Sequence, residues 1–497
     1  MVSSSALKSN ATARSRAKSK RKPSRITLPP ELVRQSLRPV TKQSDLFTAL
    51  KPKQRRGVIE ACKHDGFALL FEQRVGKTWV AGGVMERRDA HEVFIVCRKT
   101  NLISTWARFI AKRLPHYKIF TDWVEYREHQ KGFVKAWGIR DYCVLLVNYE
   151  ALPSFADKIR KYAWDMVIYD EAQGLKARNS RNSRMARKLR NVKVRLALTG
   201  TPMDDSPNDF WAIMRFVDWT LLGESWTEYA KDWCRSTGYM GYKKEFREEL
   251  REEFLDVISD HVYRVTKEDV GIKRAVIERV PVGMFGRQAR IYRALEDDMV
   301  AWVGKHRIKT PLKITQIKKL QQITGGFVYT EQKEVRTLGD AKARKLRWML
   351  KTAKPPFIIF ALSTPEVEIA HEVASELFDN VQILWGKVKD TRKDPARTRM
   401  LEAFQRGEID GMVCQQRTGG VGVDMFKART GYIYSCNHSW IDFDQMTSRM
   451  DAYDQEKAAK FFHLFVPDTI DEDVIVALDG KRSVTGVTLE RLRQRRL

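Results

Sequence analysis

The sequence predicts an α/β protein built as two parallel-sheet lobes with a helical insertion between them. Three observations predict it. Short apolar runs alternate with amphipathic stretches from residue 44 to 215, and the same rhythm returns from 341 to 482. That alternation is the strand–helix–strand repeat of a parallel sheet covered on both faces. Residues 216–340 read differently: they are rich in Trp, Tyr, Arg, Lys and Glu, with helical periodicity and little strand signal. Finally, Gly76-Lys77-Thr78 and Asp170-Glu171-Ala172-Gln173 each follow an apolar run.

The expected strands of the first lobe are Phe67–Phe71, Val93–Val96, Val144–Val147, Met166–Tyr169 and Val194–Leu198. Those of the second are Phe357–Phe360, Val381–Leu384, Gly411–Cys414 and Tyr432–Tyr434. In the insertion, Trp226, Tyr229 and Trp233 are spaced by three and four and share a helix face, which suits core packing. The Tyr239–Lys244 stretch reads as surface. Residues 313–320 read as a helix with a basic face. Residues 1–43 form a basic tail without acidic residues up to residue 30, and residues 483–497 form a second basic tail. The N-terminal tail reads as disordered chain, a phosphate contact or a targeting signal.

A chain of 497 residues is too long for one ordinary core. Lys and Arg number 90 against 62 Asp and Glu, a formal charge of +28. Such an excess points to a polyanionic partner, nucleic acid before an anionic membrane surface. No run approaches the roughly 18 apolar residues of a membrane span. The six cysteines are scattered without C-x-x-C spacing, so a zinc ribbon or redox dithiol is not expected, and a reducing compartment is.

The two polar motifs carry the chemistry. In Phe71-Glu72-Gln73-Arg74-Val75-Gly76-Lys77-Thr78 a strand ends, a turn follows and a helix opens. Backbone N–H groups at a helix start suit phosphate oxygens. Lys77 is placed to reach the terminal phosphates, with Val75 and Gly76 lining them, and Thr78 to ligate Mg2+. The strict phosphate-loop pattern has a further glycine where Phe71 stands. Asp170 would hold the same magnesium, and Glu171 would polarise the attacking water. The expected cofactors are therefore ATP and Mg2+. Leu198-Thr199-Gly200-Thr201-Pro202 places hydroxyls at a strand end beside this box, and Gly419-Gly420-Val421-Gly422 lets backbone approach a ligand closely.

Taken in order, these segments resemble the Snf-type DNA translocases of helicase superfamily two, over nearly all of 44–480. Asp170-Glu171-Ala172-Gln173-Gly174-Leu175-Lys176-Ala177-Arg178-Asn179-Ser180 resembles that family's second motif, and Leu198–Pro202 its third. Leu50-Lys51-Pro52-Lys53-Gln54 resembles the adenine-side motif, which implies Gln54 near the base. The resemblance implies two RecA-like lobes with ATP between them. It implies nucleic-acid contacts at Lys99, Thr100, Tyr149, Arg417 and Thr418, and nucleotide coupling through Gly420, Gly422 and Asp424. Two departures stand out. Arg74 occupies a position where the family usually has glycine. The sixth motif aligns as Gln445, Arg449 and Ala452, so the first lobe-two arginine is present and the second is not.

The resemblance implies an ATP-dependent DNA translocase or helicase in replication, repair or recombination. It implies sequence-independent binding to duplex DNA by a monomer of viral or prokaryotic type. The expected compartment is the cytoplasm, or a nucleus or organelle if the N-terminal tail is a targeting signal. Two alternatives stay open: a nucleotide-gated DNA-binding scaffold with weak turnover, and an RNA helicase.

Overall fold

The computed structural model describes residues 28–29, 46–153, 159–189, 191–201, 207–238, 243–298, 300–303, 306–309, 313–388, 396–416, 425–451 and 457–480. Two parallel sheets organise it. The first has seven strands in the order Lys118–Phe120, Cys143–Asn148, Glu92–Cys97, Met166–Asp170, Val194–Leu198, Gly66–Phe71 and Val262–Val265. The second has six, in the order Val276–Pro281, Lys460–Phe465, Thr430–Ile433, Phe357–Ala361, Gly411–Gln415 and Val381–Leu384.

Both sheets are covered on both faces, and the strands show it residue by residue. Along Gly66–Phe71, Ala68 and Leu70 enter one core while Phe67, Leu69 and Phe71 enter the other. In the second lobe, Phe357 and Ile359 separate from Ile358 and Phe360 in the same way. Successive side chains point to opposite faces of a sheet, so a strand buried on both sides must be apolar throughout. That is why these strands read as unbroken apolar runs. The nine expected strands all form, within two residues at each end.

The segment 216–340, expected to be a helical insertion, also contributes strands. Val262–Val265 pairs in parallel with Gly66–Phe71 and closes one edge of the first sheet. Val276–Pro281 pairs with Lys460–Phe465 at one edge of the second. The chain therefore leaves the first lobe and enters the second between 265 and 276. Val276–Pro281 is mostly exposed and lacks the apolar run of a central strand. Val262–Val265 is short and carries a charged Arg264. Two helices of this segment, Gly286–Asp298 and Lys313–Thr324, pack through Ile291, Tyr292, Leu295, Leu320 and Ile323. The helix Trp226–Trp233 buries Tyr229 and Trp233 against the first lobe. Trp226 packs on Trp211 with ring centroids 5.3 Å apart, so this aromatic stripe is core. Tyr239–Tyr242 lie outside the described residues.

Five of the six cysteines are buried, Cys62 is half-buried, and all six are free thiols. Among the described residues no helix is long and apolar enough to cross a membrane.

Candidate nucleotide site between the lobes

Three neighbouring strands deliver the site. Met166–Asp170, Val194–Leu198 and Gly66–Phe71 lie side by side, with Asp170 opposite Leu198 and Leu69 opposite Leu198. Their parallel direction brings the loop after Phe71, the Asp170-Glu171 box and the Thr199 turn to one edge. Gly200 packs on the first loop so tightly that a Cβ would lie 2.9 Å from the Phe71 carbonyl oxygen.

The loop is held open from below. Gly76 has φ +97° and opens the helix Lys77–Arg87. A Cβ on Gly76 would meet Gln54 Nε2 at 2.3 Å, so the position needs glycine twice over. Gln54 Nε2 donates to the Val75 carbonyl at 2.9 Å, and its Oε1 accepts from the Lys51 N–H at 3.0 Å. Gln54 thus braces the loop beside Val75. Lys77 is buried, and its Nζ donates to the Phe71 and Glu72 carbonyls at 3.0 and 3.4 Å. Its ammonium lies inside the loop, held by two of the loop's own carbonyls. Thr78 is half-buried on the first turn of the helix.

Asp170 and Glu171 are buried. Asp170 accepts from Trp106 Nε1 at 3.0 Å and from the Glu171 N–H at 3.0 Å. Burial and the neighbouring Glu171 charge raise the Asp170 carboxyl above the usual carboxylate range. Burial also pushes Glu171 upward, but the Lys77 and Arg98 charges and the Gln173 and Gln73 amides outweigh it and hold Glu171 low. The pair therefore splits into an easily protonated Asp170 and a firmly ionised Glu171 when no cation is bound. Asp170 and Thr78 offer hard oxygen ligands and would hold Mg2+, which supplies charge neutralisation on the phosphates. Glu171 adopts φ +54°, a costly conformation for a non-glycine residue and one that clusters at functional sites.

Glutamine amides converge on Glu171. Gln173 Nε2 donates at 2.6 Å, Gln73 Nε2 from the phosphate loop at 3.4 Å, and Gln445 Nε2 from the second lobe at 3.3 Å. Thr199 Oγ1 donates to Gln173 Oε1 at 2.7 Å, so the third motif is wired to the carboxylate through one side chain. None of Gln73, Gln173 and Gln445 was anticipated as a contact to Glu171. Nor was Glu72, whose carboxylate accepts from Arg264 at 3.2 Å, Arg274 at 2.6 Å and the Lys267 N–H at 3.1 Å. These partners lie about two hundred residues away in sequence, and no local pattern signals them.

Gln445 lies on the helix Trp440–Thr447, and Arg449 is buried in the short turn that follows. The Arg449 carbonyl accepts from Arg74 Nη2 at 3.3 Å, a second contact between the lobes. From the segment connecting the lobes, Lys267 Nζ donates to Ser448 Oγ at 2.7 Å and to Asp451. Arg417, Thr418, Gly420, Gly422, Asp424 and Ala452 lie outside the described residues.

Lys99 and Thr100 are exposed just past the end of Glu92–Cys97, accessible to a large ligand. Tyr149, expected to touch nucleic acid, does not face outward. Its ring is buried, and its hydroxyl donates to the carbonyls of Asp170 at 2.9 Å and Glu171 at 3.2 Å. These carbonyls sit at a strand end turning into a left-handed residue; Tyr149 serves chiefly that of Asp170, and the Gly174 N–H serves that of Glu171 at 2.9 Å. It braces the box from behind.

A model of the SNF2-related domain matches residues 12–334. The chain is 22% identical over 405 residues to the putative ATP-dependent helicase/translocase YwqA of Bacillus subtilis, covering 78% of this chain and 42% of that protein. It is 23% identical over 445 residues to a probable chromatin-remodeling complex ATPase chain of Oryza sativa, covering 85% and 39%. The chain thus spans less than half the length of these relatives. Among solved structures, the Sulfolobus solfataricus SWI2/SNF2 ATPase core in complex with dsDNA is similar at 21% identity, covering 92% of this chain and 98% of that one, with a TM-score of 0.41. The chain belongs to the SNF2-related domain family.

Proposed function

We propose that this protein is an ATP-driven motor that binds duplex DNA through its backbone and moves along it in genome processing. The observation that carries the reading is the hold on Glu171 from both lobes. Gln173 and Gln73 hold it from the first lobe and Gln445 from the second. A carboxylate placed to orient water is thereby sensitive to lobe position, which is what coupling hydrolysis to movement requires.

The residues divide the work. Lys77 and the backbone at Gly76 bind the phosphates. Glu171 orients the water and accepts its proton, kept ionised by Lys77 and its amides. Arg449 belongs to the second lobe's share of the site. The charge of +28 and the exposed Lys99 and Thr100 support contact with a polyanion. Contacts of this kind are salt-sensitive and largely indifferent to sequence. Ala452, standing where the resemblance has an arginine, favours a second reading: a nucleotide-gated DNA-binding protein with negligible turnover.

ATP hydrolysis by the whole chain, without nucleic acid, with duplex DNA and with RNA, separates these readings. A motor gives turnover stimulated by duplex DNA and abolished in Lys77→Ala and Glu171→Gln. ATP-sensitive DNA binding without turnover selects the scaffold, and preferential stimulation by RNA selects an RNA track.

A further inference from the structure

Arg74 is the one residue of the phosphate loop whose backbone and side chain are both out of the ordinary. It holds φ +72°, a conformation that glycine adopts freely and an arginine adopts at a cost. A non-glycine residue kept there needs a side-chain reason. The structure supplies one: the half-buried guanidinium crosses from the first lobe and donates to the Arg449 carbonyl at 3.3 Å.

Its place in the loop decides what else it meets. Arg74 lies between Phe71, whose carbonyl holds the Lys77 ammonium, and Gly76, which opens the phosphate-facing helix. Its neighbour Gln73 donates to Glu171 at 3.4 Å. The guanidinium is therefore anchored at the seam where Lys77 and Glu171 from one lobe meet the Gln445–Arg449 turn of the other. A terminal phosphate bound by Lys77 and attacked by water at Glu171 would lie beside this loop.

We infer that Arg74 is a catalytic residue for ATP hydrolysis, an arginine supplied within the phosphate loop that does the work of the arginine lacking at position 452. The inference rests on the ATPase reading above. In the reaction, the water oxygen bonds to the γ-phosphorus. The bond from that phosphorus to the β,γ-bridging oxygen breaks, and its electron pair leaves on ADP. The water proton passes to Glu171 and on to solvent. Arg74 forms and breaks no covalent bond. Its fixed positive charge stabilises the negative charge that grows on the γ-phosphoryl and bridging oxygens, and a guanidinium presents paired N–H donors for that purpose. The bond to the Arg449 carbonyl makes its aim depend on lobe closure, so hydrolysis waits for the second lobe.

The test uses the full chain with saturating duplex DNA and measures kcat and KM for ATP. Arg74→Gly suits the left-handed backbone and should fold at least as stably as the parent, checked by its Tm. Its kcat should fall at least about 100-fold with KM changed only slightly, since removing one donor to a developing oxyanion typically costs that much. Arg74→Lys should recover part of the rate. Adding Ala452→Arg to Arg74→Gly should restore most of it. Lys77-dependent turnover in the parent together with a kcat for Arg74→Gly within threefold of the parent, or above it, would overturn the inference and leave the ATPase reading standing. Absence of any Lys77-dependent turnover in the parent would overturn both.

Discussion

Lys267 Nζ lies 2.5 Å from Asp451 Oδ2, with side chains 3% and 1% exposed, and this pair fastens the segment that connects the lobes, itself tied to Glu72 of the first through the Lys267 N–H, to the second lobe. Breaking a buried ion pair leaves the surviving charge uncompensated, at a typical cost of about 3–5 kcal/mol. Asp451→Ala should therefore lower the midpoint of urea unfolding by a corresponding amount. The double substitution Lys267→Met with Asp451→Leu should recover most of the loss, because it removes both charges. An unchanged midpoint in Asp451→Ala would show that the pair contributes nothing to holding the lobes.

The hydroxyl of Tyr149 donates toward the backbone carbonyls of the Asp170-Glu171 box. Tyr149→Phe removes the hydroxyl donor to the buried Asp170 carbonyl, while the Glu171 carbonyl keeps the Gly174 N–H at 2.9 Å, a loss on the order of 1–3 kcal/mol. ATP turnover should fall about tenfold, a change of about 1.4 kcal/mol in the barrier. Duplex affinity measured by fluorescence anisotropy should stay within twofold of the parent. A large loss of DNA affinity with turnover per bound complex unchanged would return Tyr149 to the nucleic-acid face.

Gly76 combines φ +97° with a Cβ position 2.3 Å from Gln54 Nε2. Gly76→Ala must strain the backbone and push Gln54 off the Val75 carbonyl, on the order of 1–3 kcal/mol of conformational cost. ATP binding, followed by titration calorimetry, should weaken at least about tenfold. Gln54→Ala should reproduce part of the effect, since it frees the same carbonyl.

His463, buried in the second sheet, has its pKa lowered from 6.5 to about 4 by burial first and by the Lys342 charge second. The sign follows from proton counting. Between about pH 6.5 and 4 the unfolded chain binds a proton at this site and the folded chain does not. Stability from this group is fully present above pH 6.5 and is lost as pH falls through 4, by about 3 kcal/mol for a shift of this size. His463→Gln should flatten the acid limb of stability against pH in urea titrations. An equally steep limb in the variant would place the acid sensitivity elsewhere.

The legible part of the fold was the part buried on both faces. Phe67–Phe71 and Phe357–Phe360 announce themselves because each of their residues enters one core or the other. Most edge strands escape this logic, Val381–Leu384 excepted, and so does the interior strand Lys460–Phe465, which carries Lys460 and His463. Lys118–Phe120, Val262–Val265 and Val276–Pro281 each border a sheet, and they are short or polar. Treating 216–340 as helical misses the last two and also the short antiparallel pairs Cys234–Thr237 with Lys243–Phe246, Val300–Val303 with His306–Lys309 and Phe327–Tyr329 with Val335–Thr337. At the site, the phosphate loop and the Asp170-Glu171 box were legible because each is a local motif at a strand end. The grip of Gln445 on Glu171 and of Arg264 and Arg274 on Glu72 was not, because those partners meet only through the tertiary fold. The inward hydroxyl of Tyr149 is not legible either: its position after a strand is equally compatible with an outward ring and with a hydroxyl turned to a neighbouring strand end.

The central claim is that hydrolysis at a carboxylate gripped from both lobes drives movement along duplex DNA. Displacement of a fluorescent third strand from a triplex-bearing duplex tests it most directly, with the parent chain beside Glu171→Gln. ATP-dependent displacement is expected from the parent and none from Glu171→Gln, although that variant still binds ATP and DNA. DNA-stimulated hydrolysis by the parent with the third strand left in place would contradict it.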